Sequence, residues 1–464
     1  MPASPPRTFD AVIVGGGIAG LAAAWDLRNR DILVLEATDR PGGRIRSIDR
    51  DPYWLNLGAH VFPGPGSATG RLAADVGIDL VPVPGTLAAV ELNGRLIRGG
   101  RPELYPLRLP LERHERLALV RAGVRLRLGV HRYRRAAEPQ LGETAADARR
   151  RLLGFEDGRS FADWLGPVPE VVDSMIRATV TRSTAEPEEI SAGQGIGYFA
   201  LVWSAGRGLS RTIVGGAGRL VEGLVSELGA KLVTGARATA VEAGDDAAVI
   251  SIERNGAVER LTARHVVLAT KAFEAAALAP RLPIATRSAL ESLPYGPTLV
   301  MAVLTGESGP MPWDGVYALA TPQRSFNMLF NVGCVVHADP AHARAGGSFM
   351  MYRSGHGATA LFELSDREIE RRFLEDLYAV HPAARGFVRE TMLLRLPRML
   401  PYPAPGRAAL QPALERTLHR IHLAGDYLGG VYTETAIASG QEAARAIRAS
   451  LQADAVVSPA AAGG

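Results

Sequence analysis

Ala11-Val12-Ile13-Val14-Gly15-Gly16-Gly17-Ile18-Ala19-Gly20, continued by Leu21–Leu27 and then by Ile32-Leu33-Val34-Leu35-Glu36, is the stretch that decides the fold. A four-residue apolar run reads as a strand buried on both faces. The Ala- and Leu-rich segment after it reads as a helix, and Ile32–Leu35 as a second buried strand. Together they make a βαβ unit of about 30 residues. Gly15, Gly17 and Gly20 stand in G-x-G-x-x-G spacing at the strand-to-helix turn. The first permits the tight turn, the second lets a pyrophosphate approach the backbone, and the third packs helix on strand. The glycine segment opens onto the helix, whose end offers unpaired N–H groups and about half a positive charge that favour an anion. Glu36, at the end of the second strand, suits two ribose hydroxyls and repels a 2′-phosphate.

The whole chain has 464 residues, 47% hydrophobic and 22% charged, with a net charge of +4. That composition predicts two or three globular domains and excludes a fibrous or wholly disordered protein. Lys231 and Lys271 are the only lysines, so the positive charge is almost all arginine. It is spread along the chain, and no nucleic-acid partner is expected. Cys334 is the only cysteine, which rules out an internal disulfide and any site built from several thiolates. The scattered histidines lack ligand spacing, so no metal is expected. Met1–Thr8 has no apolar signal-peptide core, and no run of about 18 apolar residues occurs; a cytoplasmic setting is expected.

Later segments read as further pieces of the nucleotide-binding domain. Strands are predicted at 231–233, 248–252, 265–269 and 421–424, a closing helix at 439–449, and a frayed tail from Gln452. The predicted division is 1–85, 212–275 and 401–464 for this domain, with two insertions. The first, 86–211, reads as mostly helical; the second, 276–400, as sheet plus helix, with strands at 298–304, 315–320, 325–332 and 348–352. Ser365 and Glu368 form a capping-box pattern at the start of a helix there.

Gly42-Gly43-Arg44 follows Glu36 closely, pairing small residues with a cation suited to phosphate or a ring edge. With this cluster the chain resembles the flavin-containing amine oxidase superfamily, which includes amine oxidases, protoporphyrinogen and coproporphyrinogen oxidases, and carotenoid desaturases. Leu57-Gly58-Ala59-His60 resembles the loop that passes the flavin ring. Ile213–Leu220 resembles the return into the FAD domain. Leu423-Ala424-Gly425-Asp426 and Tyr432–Gly440 resemble the C-terminal flavin motif. The resemblance implies an α/β protein: a Rossmann-like FAD-binding domain of the GR2 type with an inserted α+β substrate domain of mixed sheet and helices. It implies FAD at Gly15, Gly17, Ile18, Ala19, Gly20, Glu36, Gly42, Gly43, Arg44, Gly58, Ala59, His60, Ala238, Gly425, Asp426, Thr435 and Ala436. The helix beginning near Thr435 would aim its N–H groups at the flavin C2 carbonyl. Gly216-Ala217-Gly218 lacks a third glycine, so no second dinucleotide site is expected and the electrons come from an organic substrate.

A flavin accepts a hydride from a C–H bond held near N5, so the protein must position that bond and exclude water. By resemblance Tyr432 stands beside the substrate, and Tyr402 and His60 are candidates for the same wall. Tyr432 is equally readable as a plain core tyrosine, and a lone histidine such as His60 is more often structural. Three departures from family patterns matter. Val300 occupies the place of the lysine that many amine oxidases set near N5. His60 occupies the place of the arginine that holds the carboxylate in L-amino acid oxidases, which disfavours an α-amino acid. No cysteine occurs within 395–406, so the FAD is expected to be non-covalent. Lys271 reads as solvated, or as a phosphate partner. In 111–137, Leu117, Val120, Val124 and Leu128 form an apolar stripe among Arg113, Arg116, Arg121, Arg125, Arg132, Arg134 and Arg135. The pattern reads as a solvated helix covering the substrate cavity, with a membrane surface or an anionic substrate as the alternatives.

The resulting expectation is an oxidoreductase that removes a hydride from a C–N or C–C site of a small-to-medium organic substrate, with O2 as acceptor and hydrogen peroxide as product. Secondary metabolism is compatible with it. Porphyrinogen oxidation or polyene desaturation is the alternative, and a flavin-dependent isomerase or cyclase with no net redox change is a third.

Overall fold

The computed structural model describes residues 7–203, 209–339, 345–430 and 432–457. The strand Thr8–Val14 lies in parallel register with Ile32–Leu35 on one side and with the end of Ala257–Leu268 on the other. Val14 therefore faces both Leu35 and Leu268. Leu232–Val233 extends this sheet beyond the second strand, and Ile421–Leu423 adds a parallel strand against Ala257–Leu268. The antiparallel strands Ala236–Ala243 and Ala248–Arg254 complete a seven-stranded sheet. The helix Ile18–Asp26 begins three residues earlier than predicted, because Gly17 is its N-cap and the glycine motif itself enters the first turn. Lys231, predicted in a strand, lies in a 3-10 turn.

The closing helix spans Thr433–Val457, longer at both ends than the sequence suggests. The expected fraying from Gln452 is absent as far as Val457, and the rest of that prediction, 458–464, lies outside the described residues. Glu434 ties this helix to another: its carboxylate accepts the backbone N–H groups of Ala68 (2.6 Å) and Thr69 (2.9 Å), as well as the Thr69 hydroxyl.

A second seven-stranded sheet carries the inserted lobe, in the order 388–401, 295–305, 347–354, 328–331, 318–320, 89–92, 95–97. Two parts of it escaped the sequence. Val388–Pro401 is an edge strand with three arginines and an internal proline, and the adjacent apolar pairs Leu393-Leu394 and Met399-Leu400 break a strict alternation. Ala89–Leu92 and Arg95–Ile97 form a hairpin inside the insertion read as helical. Its turn is Asn93-Gly94 with φ of +49° and +74°, a two-residue hairpin signal that is present in the sequence. At the start of the helix Asp366–Val380 only half of the expected capping box forms. The Ser365 hydroxyl accepts Glu368 N–H, while the Glu368 carboxylate pairs with Arg371 and Arg372.

The basic helix Arg113–Ala137 buries a different face from the one expected. Ala122, Leu126, Gly129 and Val130 pack inward, whereas Leu117, Val120, Val124 and Leu128 are 43–61% exposed. Small residues on the first face permit close approach to Trp164 and Ile196. No described helix is long and apolar enough to cross a membrane.

Candidate functional site

The loops leaving the carboxyl ends of Thr8–Val14 and Ile32–Leu35 open onto a cavity of about 780 Å³. This is where an open α/β sheet presents ligands. Gly15, Gly17, Ile18, Ala19, Glu36, Gly42, Gly43, Arg44, Gly58, Ala59, His60, Ala238, Gly425, Asp426 and Ala436 all line it. Three sequence candidates do not. Gly20 lies behind the loop, where an added Cβ would come within 2.0 Å of the Gly15 carbonyl oxygen, so its work is packing. The Thr435 methyl turns toward Gly429, because the helix already begins at Thr433. Tyr402 follows the edge strand and packs against the helical core.

The dinucleotide end fits FAD on two observations. A Cβ built on Gly17 meets no protein atom within 4 Å, so the missing side chain leaves a cradle of open space. The helix it caps has no side-chain cap, leaving first-turn N–H groups for a diphosphate. Glu36 is pre-oriented: one carboxylate oxygen accepts Gly16 N–H at 2.9 Å, and the other accepts Thr38 N–H at 2.9 Å and the Thr38 hydroxyl at 2.7 Å. Arg44 differs from expectation. Its fork is engaged by Asp426 at 2.6 and 3.0 Å and by the Met399 carbonyl, so its charge is already compensated within the protein. Lys271 lines the cavity instead of projecting into solvent, and burial lowers its pKa.

The opposite wall comes from the second sheet and the helical insertion. Thr298 and Val300 face the cavity from one strand, and Met350, Tyr352 and Ser354 from its neighbour. Both sets show the period-two spacing of a single sheet face. Phe330, Thr184, Tyr198, Tyr432 and Arg182 complete the wall. Of these, the sequence singled out only Val300 and Tyr432. The strand alternation was legible, but which face would meet a cofactor was not.

His60 joins the two ends. Its Nδ1 lies 3.3 Å from the Gly58 carbonyl oxygen, and its ring packs edge-on against Phe330 at 4.5 Å. Burial lowers its pKa to about 4, outweighing that hydrogen bond, so the ring is neutral at physiological pH. Its Nε2 is buried without a partner. Tyr198 and Tyr432 stand with ring centroids 6.0 Å apart, and burial raises both phenol pKa values. Burial likewise pushes Tyr352 up to about 12. The wall is thus aromatic and uncharged except for Arg182, as suits transfer of a hydride away from water.

Comparison with known proteins agrees with this architecture. The profile of the family described as flavin containing amine oxidoreductase matches residues 18–448. Coproporphyrinogen III oxidase of Staphylococcus aureus is 33% identical over 104 residues, 22% of this chain and 21% of that protein. Coproporphyrinogen III oxidase of Propionibacterium freudenreichii is 29% identical over 351 residues, 63% of this chain and 62% of that protein. These matches span less than two thirds of either relative's length. The solved structure of cyclohexylamine oxidase from Brevibacterium oxydans superposes with a TM-score of 0.75 at 20% identity, covering 96% of this chain and all of that one.

Proposed function

The chain belongs to the family of flavin-containing amine oxidoreductases, and from that premise we propose that it is an FAD-dependent oxidase of a small-to-medium organic molecule. The observation that carries this reading is the single cavity shared by the glycine-rich loop and the Val300–Tyr352 sheet face. Non-covalently bound FAD supplies a two-electron acceptor at its N5. The remaining work falls to the protein. Gly17 and the helix Ile18–Asp26 would hold the diphosphate and Glu36 the ribose, while the helix starting at Thr433 would supply N–H groups to the ring. Val300, Phe330 and Met350 exclude water, while Tyr432 and neutral His60 orient the substrate's C–H bond. The substrate leaves with a new C=N or C=C bond, having given up a hydride and a proton. Molecular oxygen takes the two electrons and is released as hydrogen peroxide.

Oxidation at carbon, as in porphyrinogen or polyene dehydrogenation, is the second reading. Val300 in place of a lysine favours it, as does the aromatic wall, which offers no carboxylate to an ammonium group. Purified protein should carry flavin absorbance that bleaches anaerobically with a true substrate and returns in air with stoichiometric peroxide. A panel of amines against porphyrinogens and polyenes separates the two readings. Turnover without any electron acceptor would replace both with an isomerase or cyclase.

A further inference from the structure

Arg182 stands in the short 3-10 turn Thr181–Ser183 and lines two cavities. One is the flavin cavity; the other is a mostly apolar groove of about 410 Å³, partly open to solvent, along the basic helix Arg113–Ala137, whose exposed stripe residues Val120, Val124 and Leu128 line it. Leu119, Val124, Met175, Phe199, Val202 and Trp203 are among the walls of that groove. The acids nearest in sequence are engaged elsewhere: Arg177 takes Asp173 at 2.9 Å, Glu186 at 2.8 Å and Glu188 at 2.7 Å. Among the described residues no carboxylate lies within ion-pair distance of Arg182. The groups on which its charge acts, His60, Tyr198, Tyr352 and Tyr432, are all neutral at physiological pH. A guanidinium facing a low-dielectric cavity without a counter-ion repels an ammonium group and attracts a carboxylate, which it can hold bidentately.

We propose that Arg182 anchors the carboxylate of an amphipathic organic acid whose apolar chain fills the groove along the basic helix. This deepens the oxidase reading by naming the substrate class.

The test titrates the purified holoenzyme with octanoate, octanamide and octylamine, followed by calorimetry and by the flavin difference spectrum. Octanoate should bind at least about tenfold tighter than the other two. R182M should remove that preference, and R182K should retain part of it. Affinity should rise from butanoate to octanoate by up to about fourfold per methylene. G123F, which projects a ring into the groove, should flatten that rise. Equal binding of the three probes, preference for the amine, or an acid preference that survives R182M overturns the proposal. Affinity that is flat with chain length overturns the groove as its apolar subsite. Should R182M not fold, R182K and the wild-type series still decide. Protein that never acquires flavin absorbance refutes the oxidase reading. A flavin-loaded protein indifferent to the acid refutes only this proposal.

Discussion

Gly17 and Gly20 stand three residues apart in one motif, yet the structure gives them opposite roles. Cβ on Gly17 would enter open space in the cavity, whereas Cβ on Gly20 would strike the Gly15 carbonyl. Gly17→Ala should therefore leave the unfolding midpoint of the apoprotein nearly unchanged while abolishing flavin absorbance. Gly20→Ala should destabilise the fold itself by roughly 1–3 kcal/mol, the cost of overpacking. Denaturant unfolding of the two apoproteins, paired with flavin content, checks this contrast. Equal stability losses would mean that Gly17 is a packing residue after all. Both glycines were legible in the sequence because the motif is local. Arg182 was not, because nothing within its own turn indicates which cavity it enters.

Among the elements, the helix Arg113–Ala137 shows how an amphipathic pattern misleads when two apolar stripes coexist. The branched stripe at 117, 120, 124 and 128 is the more hydrophobic, but Gly129 and Ala122 lie on the other side. Close approach there lets the helix pack on Trp164, and packing density outweighs the bulk of the exposed stripe. Leu126→Ala should cost about 2–5 kcal/mol, as for other buried leucines. The exposed pair Val124→Ser with Leu128→Ser should stay within about 1 kcal/mol of the parent. Chemical denaturation of the three proteins distinguishes these outcomes, and a large loss in the serine variant would identify the exposed stripe as a structural face. The edge strand Val388–Pro401 was missed for a related reason: an edge position tolerates charge and proline, so the strict alternation is broken.

Across the whole molecule, histidines buried in a loop, after a helix and in a strand make the fold sensitive to acid. Burial lowers the pKa values of His60, His381 and His422 to about 4. His381 packs between Trp313 and Phe349, while His422 meets His265, itself lowered, at 3.3 Å. Below pH 6.5 the unfolded chain binds protons that the folded one refuses, so stability is complete above that pH and declines as pH falls toward 4. Lowering the pH from 7.5 to 5.5 should cost roughly 1 kcal/mol for each of these three histidines. Urea unfolding at the two pH values measures it, and coincident curves would show that these rings are protonated in the folded state.

Amino-acid order alone determined the βαβ unit, the cradle at Gly15–Gly20 and the acid at Glu36. These depend on contacts between residues close along the chain, where spacing fixes geometry. It also determined the α/β class and the flavin family. Only the tertiary structure decided that Arg44 is neutralised by Asp426, 382 residues later, that Lys271 faces the cavity, and that Tyr402 does not. It alone brought an arginine with no carboxylate partner among the described residues against His60, Tyr198, Tyr352 and Tyr432, the Tyr352 hydroxyl being its hydrogen-bond partner. Those four come from separate loops, a helix and a strand, and their meeting is set by how two sheets and a helical insertion pack, which no local pattern encodes.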